Sequence, residues 1–473
     1  MGPDVFGILY FNITLTAIIT TVLELGISST TVREVSQHFD SEPQYMRSLI
    51  QTASFVYWAI GLFLVALIFV GAPILVRKWI NLSSIDAGTA TTMIRIMSIS
   101  TMVVLPRALY TSLFRGRQRM AINNSIDVVS TILQQIGIVV LLKLGGGVFT
   151  FASWISASAV IWVLAYMVVA SRQFGWRSLV PRFDIDVVRR NLRFATLMMS
   201  NSLLALVHTS FANVMVSKLL PVADFGLYGF ANATVGRAGF VTAAITQAAF
   251  PSLSRLFESG DRPALLRQYR QLQDLVCFCT LPVFAGICFA ARPVYSYLFN
   301  PTVARNLLLP TVFLALGFSM NAAVNVPYTT SLAMGRPQIA ARANVAAIFV
   351  VLPVTVVLIA AYGIVGAAFS WVFYHLFAFA YMVPRICRQC LDISPWRWYA
   401  HVLRAFGLAF AVYGLGWVLV TAAGSFSVLP LAVAYLAATA VFAAGAYLLI
   451  GSELRDTLVR FRHTLVLRKA RAL

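Results

Sequence analysis

Apolar runs of about twenty residues recur along the whole chain, and short polar segments separate them. A helix of that length crosses the hydrocarbon core of a bilayer. Alternating ten-residue segments, which are typical of membrane β-barrels, do not occur in the sequence. The pattern therefore predicts thirteen spanning helices at 5–29, 49–70, 89–114, 121–143, 147–170, 194–218, 225–250, 275–299, 306–334, 339–361, 364–384, 402–421 and 428–450.

The composition agrees with that pattern. Of the 473 residues, 60% are hydrophobic and 11% are charged, and the mean hydropathy is +0.82. A soluble protein of this length needs more polar surface. We therefore predict an all-α polytopic membrane protein.

Two short segments recur in the chain at the same offset of 219 residues. Phe6-Gly7 returns as Phe225-Gly226, and the pattern TSL-x-x-GR that starts at Thr111 returns at Thr330. Internal repeats of this kind are common in transporters that are built from two similar halves. We predict two pseudo-symmetric six-helix lobes, the first of which lacks its first helix, followed by two C-terminal helices.

The repeat predicts the organisation of the chain. Within 171–193, residues 183–193 have a composition that would suit an interfacial helix. The predicted parts are an N-terminal lobe of five helices at 1–170, a cytoplasmic inter-lobe linker at 171–193, a C-terminal lobe of six helices at 194–390, two additional helices at 391–450 and a basic amphipathic tail at 451–473.

The formal charge of +20 is distributed very unevenly between the two sides of the predicted membrane. One set of alternate loops, together with the tail, holds 27 of the 36 basic residues, whereas the other set holds six. Because cytoplasmic loops are rich in lysine and arginine, the C-terminus is predicted to be cytoplasmic. The charge then reflects topology, and we expect no nucleic-acid partner.

Thirteen spans with a cytoplasmic C-terminus would place Met1 outside the cytoplasm. In the second repeat, Phe225 follows the predicted helix 194–218, whereas no helix precedes Phe6 in this sequence. We therefore expect the natural or ancestral protein to have one more helix before Met1.

No enzyme signature is present in the sequence. It has no GxxxxGK[ST], HExxH or GxSxG motif, and its loops are too short to hold a nucleotide-binding or catalytic domain. Cys387-x-x-Cys390 is a single CxxC pair, which is weak evidence for a metal or redox site. We expect no enzymatic activity, cofactor or metal.

Three arginines lie within predicted spans, namely Arg95, Arg107 and Arg237, against two acidic residues, Glu24 and Asp127. A charge in the hydrocarbon core needs a partner, which is either a neighbouring carboxylate or a substrate. The excess of arginine favours an anionic substrate such as a phosphate or pyrophosphate, which a guanidinium binds through two hydrogen bonds. The alternative is an ion pair that joins helices.

Polar side chains also form stripes on single helix faces. Asn123, Asp127 and Gln134 share one face of helix 121–143, and Asn321 and Asn325 share one face of helix 306–334. Asn232 adds an amide to helix 225–250. These residues are predicted to line a wet substrate cavity. The alternative is hydrogen bonding between helices.

Three ionisable residues could couple transport to an ion: Asp127, Glu24 and His208. A structural role is the alternative for Glu24 and His208, and Arg33 is the expected partner of Glu24.

Three stretches, GPDVFGILYF, LELGISSTTVRE and PRALYTSLFRGRQRM, together with the duplication, resemble the polysaccharide flippases of bacterial O-antigen and exopolysaccharide assembly. These flippases belong to the multidrug/oligosaccharidyl-lipid/polysaccharide exporter superfamily. The resemblance implies two six-helix lobes around a central cavity. It also implies a flippase that moves a polyprenyl-pyrophosphate-linked oligosaccharide across the bacterial inner membrane by alternating access. Arg95, Arg107 and Arg237 would then contact the diphosphate or acidic sugars.

The expected partners are this lipid-linked oligosaccharide and membrane lipids, and the resemblance adds a polysaccharide polymerase and chain-length machinery. Two alternatives share the superfamily or its helix plan: a cation-coupled multidrug exporter, and a lipid II-type peptidoglycan flippase. A multidrug exporter would use membrane-embedded carboxylates, which are fewer here than arginines. A membrane glycosyltransferase or polymerase would need a larger loop.

Overall fold

The computed structural model describes residues 3–24, 26–82, 85–422, 427–451 and 455. Its helices follow the chain as α1 (Pro3–Leu23), α2 (Ile27–His38), α3 (Pro43–Lys78), α4 (Ala87–Gly116), α5 (Met120–Lys143), α6 (Val148–Phe174), α7 (Trp176–Leu179), α8 (Ile185–Leu219), α9 (Val222–Arg237), α10 (Gly239–Glu258), α11 (Arg262–Leu298), α12 (Pro301–Ala333), α13 (Gln338–Ile386), a π-helix (Cys387–Leu391), α14 (Pro395–Ala422) and α15 (Val428–Leu449).

The structure confirms the all-α membrane fold. Among the described residues, eleven helices are long and apolar enough to cross a membrane. These eleven helices contain twelve of the thirteen predicted spans, because α13 holds two, one before and one after Gly363. The backbone of Gly363, with a φ of 57° and a ψ of −134°, interrupts the helix. The remaining span, 225–250, is divided between α9 and α10.

Two predicted spans have internal breaks that hydropathy did not reveal. Helix 5–29 ends at Leu23, and α2 begins at Ile27 after Gly26, whose φ of 69° lies in the left-handed region that glycine tolerates. Within 225–250, the Ala238 amide donates to the Val235 carbonyl at 3.1 Å, which is a tighter turn than that of an α-helix. Each break lies next to a charged residue, which is Glu24 in the first segment and Arg237 in the second.

The chain folds into two compact units, Met1–Leu227 and Tyr228–Leu473. In the first unit, α3, α4 and α6 bury Tyr57, Tyr110, Phe114 and Tyr166 in one core. Large apolar side chains of α5, including Val128, Ile132 and Ile136, are exposed and suited to contact with lipid. In the second unit, α11, α12 and α13 pack together, and the most deeply buried span is α12.

Helix α8 is continuous from Ile185 to Leu219, so residues 185–193 of the predicted linker are helical and join the following span directly. Arg190 on α8 donates two hydrogen bonds to Glu42, at 2.8 and 3.1 Å, just before α3 begins. These bonds from the Arg190 guanidinium lower the pKa of the Glu42 carboxyl below its usual value. The start of α8 is thereby fixed to α3. The predicted amphipathic tail lies outside the described residues, apart from Gly451 and Arg455.

Candidate functional site

Arg95 on α4 bonds to a backbone carbonyl that a proline leaves without its helical donor. Pro73 on α3 has no N–H, so the carbonyl of Phe69, four residues earlier, loses its normal hydrogen bond. The Nε of Arg95 donates to that oxygen at 3.0 Å, and the guanidinium lies 4.7 Å from the centre of the Phe69 ring. Arg95, a predicted substrate residue, therefore has a structural partner.

We predict that the cost of Arg95→Ala depends on Pro73. Arg95→Ala should lower the free energy of unfolding by about 1–3 kcal/mol, because a carbonyl in the membrane is left without a donor. In Arg95→Ala/Pro73→Ala, the backbone gains an amide at position 73 that can bond to the Phe69 carbonyl, so the loss should be smaller than for Arg95→Ala alone. Thermal unfolding in detergent measures the stability of purified Arg95→Ala, Pro73→Ala and the double variant. If the effects of the two single substitutions simply add in the double variant, the interpretation is wrong.

The predicted site residues Arg107, Asp127 and Asn123 come together in one hydrogen-bonded cluster across α4, α5 and α6. The guanidinium of Arg107 donates to Asp127 Oδ1, and the side chains are 43% and 38% exposed. The hydroxyl of Tyr166 on α6 lies 2.8 Å from Asp127 Oδ1 and 2.9 Å from Asn123 Oδ1. This is the ion-pair alternative, in which a carboxylate neutralises the arginine and joins two helices.

Farther along α5, Gln134 also contacts a neighbouring helix. Its Nε2 donates to Ser158 Oγ at 2.8 Å, and its backbone carbonyl accepts a hydrogen bond from Trp154 Nε1 at 3.0 Å. All three residues of the predicted α5 stripe thus bond to α4 or α6, which is the helix-to-helix alternative for this stripe.

Arg237 differs from the other two arginines. It is the last residue of α9, it lies at the break before α10, and its side chain is exposed. Within the described part of the chain it has no hydrogen bond, ion pair or ring contact. Arg95 and Arg107 each have such a partner.

The end of α9 packs against the part of α12 that carries the predicted asparagines. A Cβ added to Gly236 would lie 3.3 Å from the Phe318 ring, and Asn321 follows Phe318 by one helical turn. Asn321 and Asn325 are half-buried, and Asn325 Oδ1 accepts a hydrogen bond from Thr329. Asn232 is half-buried on α9 itself. In the second unit, Arg237 and the amide residues thus belong to two helices in direct contact.

The three predicted coupling residues lie apart along the first unit. Glu24 is half-buried in the turn after α1, and His208 is half-buried on α8. Arg33, the expected partner of Glu24, instead hydrogen-bonds to Glu34 and Asn191. Asp127 is paired with Arg107 as described above.

Sequence reasoning missed two histidines in the second unit. His401 on α14 lies 3.1 Å from the buried carboxylate of Asp274 on α11, so this pair connects the two helices. His375 on α13 is fully buried. In the sequence, the apolar run 364–384 contains this one histidine and no aspartate, glutamate, lysine or arginine. A single ionisable residue in an apolar run is the signal that could have identified it as a candidate functional residue.

An apolar cavity of about 380 Å³ lies between α11, α12 and α14 in the second unit. Its size suits a section of a hydrocarbon chain. The aromatic side chains that line it are Phe284, Phe289, Phe313, Phe406, Tyr413 and Trp417.

Comparisons with solved structures find the same fold in transporters and in a flippase. An inward-facing multidrug resistance MATE family transporter of the MOP superfamily superposes with a TM-score of 0.65, at 13% identity, over 82% of this chain and 91% of that chain. The lipid II flippase MurJ in its inward closed conformation superposes with a TM-score of 0.63, at 13% identity, over 93% and 96%. These similarities show that the chain shares the fold of these two proteins.

Sequence comparison adds a relative and a family. A Shigella flexneri protein named for O-antigen transport is 20% identical over 386 residues, which is 78% of this chain and 87% of that protein. Residues 1–302 match the family model described as polysaccharide biosynthesis protein. The relative and the structural neighbours are named as transporters and a flippase, and this chain is a multi-pass membrane protein by the length and composition of its helices. It belongs to the polysaccharide biosynthesis protein family.

Proposed function

We propose that this flippase moves a polyprenyl-pyrophosphate-linked oligosaccharide, an O-antigen or exopolysaccharide repeat unit, from the cytoplasmic to the periplasmic leaflet of the bacterial inner membrane by alternating access. The observation that carries the proposal is Arg237, an arginine within a predicted span that has no partner among the described residues. The basic loops and the C-terminus face the cytoplasm in this proposal, which follows the positive-inside rule.

A head group of sugars and diphosphate cannot enter the hydrocarbon core unaided, because its polar atoms would lose water without replacement. The guanidinium of Arg237 can donate two hydrogen bonds to phosphate oxygens. The amides of Asn321, Asn325 and Asn232 can bond to sugar hydroxyls. The site therefore replaces water for both parts of the head group.

The isoprenoid tail needs an apolar environment during transport. The cavity between α11, α12 and α14 offers one in the second unit, with aromatic walls. In this proposal, the two additional helices at 391–450 contribute to tail binding, and the repeats at 1–170 and 194–390 form the two lobes.

The distribution of in-span charges separates the proposal from cation export. An exporter of cationic drugs needs a membrane carboxylate that is free to bind or exchange a cation. Asp127 is engaged by Arg107 and Tyr166, whereas Arg237 lacks a described partner. Once Arg107 and Asp127 are paired, the remaining in-span charges are Arg95, Arg237 and Glu24, and their sum is positive, which favours an anionic lipid.

Reconstituted vesicles test the proposal directly. The full chain is reconstituted with one of three fluorescent probes: a polyprenyl-diphosphate oligosaccharide, lipid II or a cationic dye. Movement of the lipids is measured as exposure to a quencher outside the vesicles, and movement of the dye as its accumulation. We expect the oligosaccharide lipid to move faster than in protein-free vesicles. If only the dye moved, the protein would be a drug exporter and the proposal would be wrong. If only lipid II moved, the protein would be a peptidoglycan flippase.

A further inference from the structure

His375 occupies the middle of the second half of α13, where it is 1% exposed. Its Nδ1 lies 2.8 Å from the backbone carbonyl of Trp371. A carbonyl oxygen can only accept, so Nδ1 carries the hydrogen, and Nε2 of the neutral ring holds a lone pair that can accept a proton. The rings of Trp371 and Tyr374 pack edge-on against the imidazole, with centroids 4.6 and 5.0 Å away, and fix its orientation.

The lone pair on Nε2 has no protein partner. Within the described residues, both His375 Nε2 and the neighbouring Trp371 Nε1 are buried without a hydrogen-bond partner. More than nine in ten buried polar groups in proteins are hydrogen-bonded, so two exceptions on one helical turn require an explanation. A ring held by Nδ1 with a bare acceptor at Nε2 is the geometry of a proton acceptor.

The helices that contact α13 offer no carboxylate to a protonated ring. These are α12, the π-helix and α14, and neither they nor α13 contain aspartate or glutamate. The titratable and charged residues of these four elements, besides His375, are Arg305, Tyr328, Arg342, Tyr362, Tyr374, Tyr381, Arg385, Cys387, Arg388, Cys390, Arg397, Tyr399, His401, Arg404 and Tyr413. None of these can supply negative charge at neutral pH, and Tyr374 donates its hydroxyl hydrogen to Asn344. An imidazolium at this position therefore needs an anion from outside the protein, or a conformation in which water reaches it.

Packed rings connect His375 to the break at Arg237. Gly236, the residue before Arg237, lies against Phe318. The Phe318 ring is 5.4 Å from that of Trp371, and Trp371 contacts His375. Gly317 brings α12 so close to α13 that an added Cβ would lie 2.6 Å from Trp371 Cδ1. A change at either end of this series must move its neighbours, because tightly packed side chains transmit displacement.

We propose that Nε2 of His375 is a proton-binding site, and that proton binding there and binding of the anionic head group at Arg237 strengthen each other. The second part rests on the proposed function. The anion supplies the negative charge that α12 and α13 lack, and the packed rings join the two sites. By linkage, a lower pH then strengthens head-group binding, and a bound head group favours protonation of His375.

Nitrogen-15 NMR of histidine-labelled full-length protein in detergent tests the proton site without any transport assay. The chain has five histidines, and His375→Gln identifies the signals of His375. His375→Asn serves the same purpose if the glutamine variant does not fold. We expect Nε2 to gain a proton between about pH 8.5 and the lowest pH at which the protein stays folded. Absence of titration there overturns the proton site, whatever the protein transports.

The coupling is tested by adding geranylgeranyl diphosphate as the probe. The titration midpoint of His375 should move to higher pH in wild type and stay unmoved in Arg237→Ala. An unmoved midpoint in wild type would overturn the coupling and leave the proton site standing. In vesicles, wild-type transport should change by up to about tenfold per pH unit, and His375→Gln transport by less than about twofold. His38→Gln, at the end of α2 in the first unit, is the matched control and should follow wild type.

Discussion

Replacing Gly226 by leucine is expected to leave no folded protein in detergent extracts, and Gly226→Ala to lower stability clearly. Helices α1 and α9 cross in direct backbone contact at this glycine. A Cβ on Gly226 would lie 2.4 Å from the Gly7 amide nitrogen, and a Cβ on Gly7 would lie 2.0 Å from the Val222 carbonyl oxygen. Backbone atoms cannot rotate away, so the helices must separate and lose the contact between Tyr10 and Phe225.

The expected size of this effect follows from two magnitudes. Overpacking costs about 1–3 kcal/mol for added methylenes that flexible side chains can still accommodate. Here the clash is with main chain, so leucine should exceed the roughly 5–15 kcal/mol that separates folded from unfolded protein. Gly7→Leu should behave like Gly226→Leu.

Gly71 provides the matched control for this pair. It also lies inside an apolar helix, α3, but a Cβ there would have nothing within 4 Å. Gly71→Ala should be neutral or stabilising by up to about 1 kcal/mol, because alanine favours the helix. Fluorescence-detected size-exclusion chromatography after heating gives the midpoint for each variant. Similar midpoints for Gly226→Ala and Gly71→Ala would show that α1 and α9 do not cross as described.

This crossing also shows what the sequence could and could not predict. Phe6-Gly7 and Phe225-Gly226 are visible as a repeat, and the repeat predicts similar helices in two halves. Nothing in the two motifs indicates that the equivalent glycines touch each other. That contact depends on how helices far apart in sequence pack, and periodicity carries no information on it.

The spans themselves could be predicted because hydrocarbon thickness fixes the length of an apolar helix. The breaks inside the predicted spans could not be predicted from hydropathy, because they depend on local backbone geometry. Gly26 turns in the left-handed region, and Ala238 closes a tighter turn after Arg237. Gly363 was predictable, because Tyr362-Gly363 separates two runs that are each long enough to span.

For the three arginines, the sequence predicted that each lies within a span, but it did not predict the partner that each side chain has. Arg107 bonds to Asp127, a residue twenty positions away on the next helix. Arg95 bonds to the Phe69 carbonyl, which has no helical donor because Pro73 lies four residues later. The sequence shows that four-residue spacing. It does not show that the Phe69 carbonyl lies close to Arg95. Only the packed structure shows that Arg95 and Arg107 have partners in the described chain, whereas Arg237 has none there.

Arg237→Ala is expected to reduce transport of the diphosphate-linked oligosaccharide by about 100-fold with little change in folding. The residue is exposed and has no hydrogen bond, ion pair or ring contact within the described chain, so its removal leaves no described polar group unpaired. Loss of two charge-assisted hydrogen bonds to phosphate oxygens costs about 3 kcal/mol, which corresponds to about two factors of ten.

Variants of the other two arginines serve as comparisons for this prediction. Arg95→Ala should lower stability more than transport, because its bonds are to Phe69. Arg107→Ala should also lower stability, since it leaves Asp127 without its cation. Arg237→Lys should fall between alanine and wild type, because lysine keeps the charge and loses the two-pronged geometry.

Vesicle transport and the unfolding midpoint, measured on all four variants, separate these roles. If Arg237→Ala lost stability as strongly as Arg107→Ala, Arg237 would be a packing residue. If all four variants transported the lipid at the wild-type rate, no arginine would bind the head group. A loss of transport confined to Arg237, graded from wild type through lysine to alanine at constant stability, requires a guanidinium that contacts the moving anion.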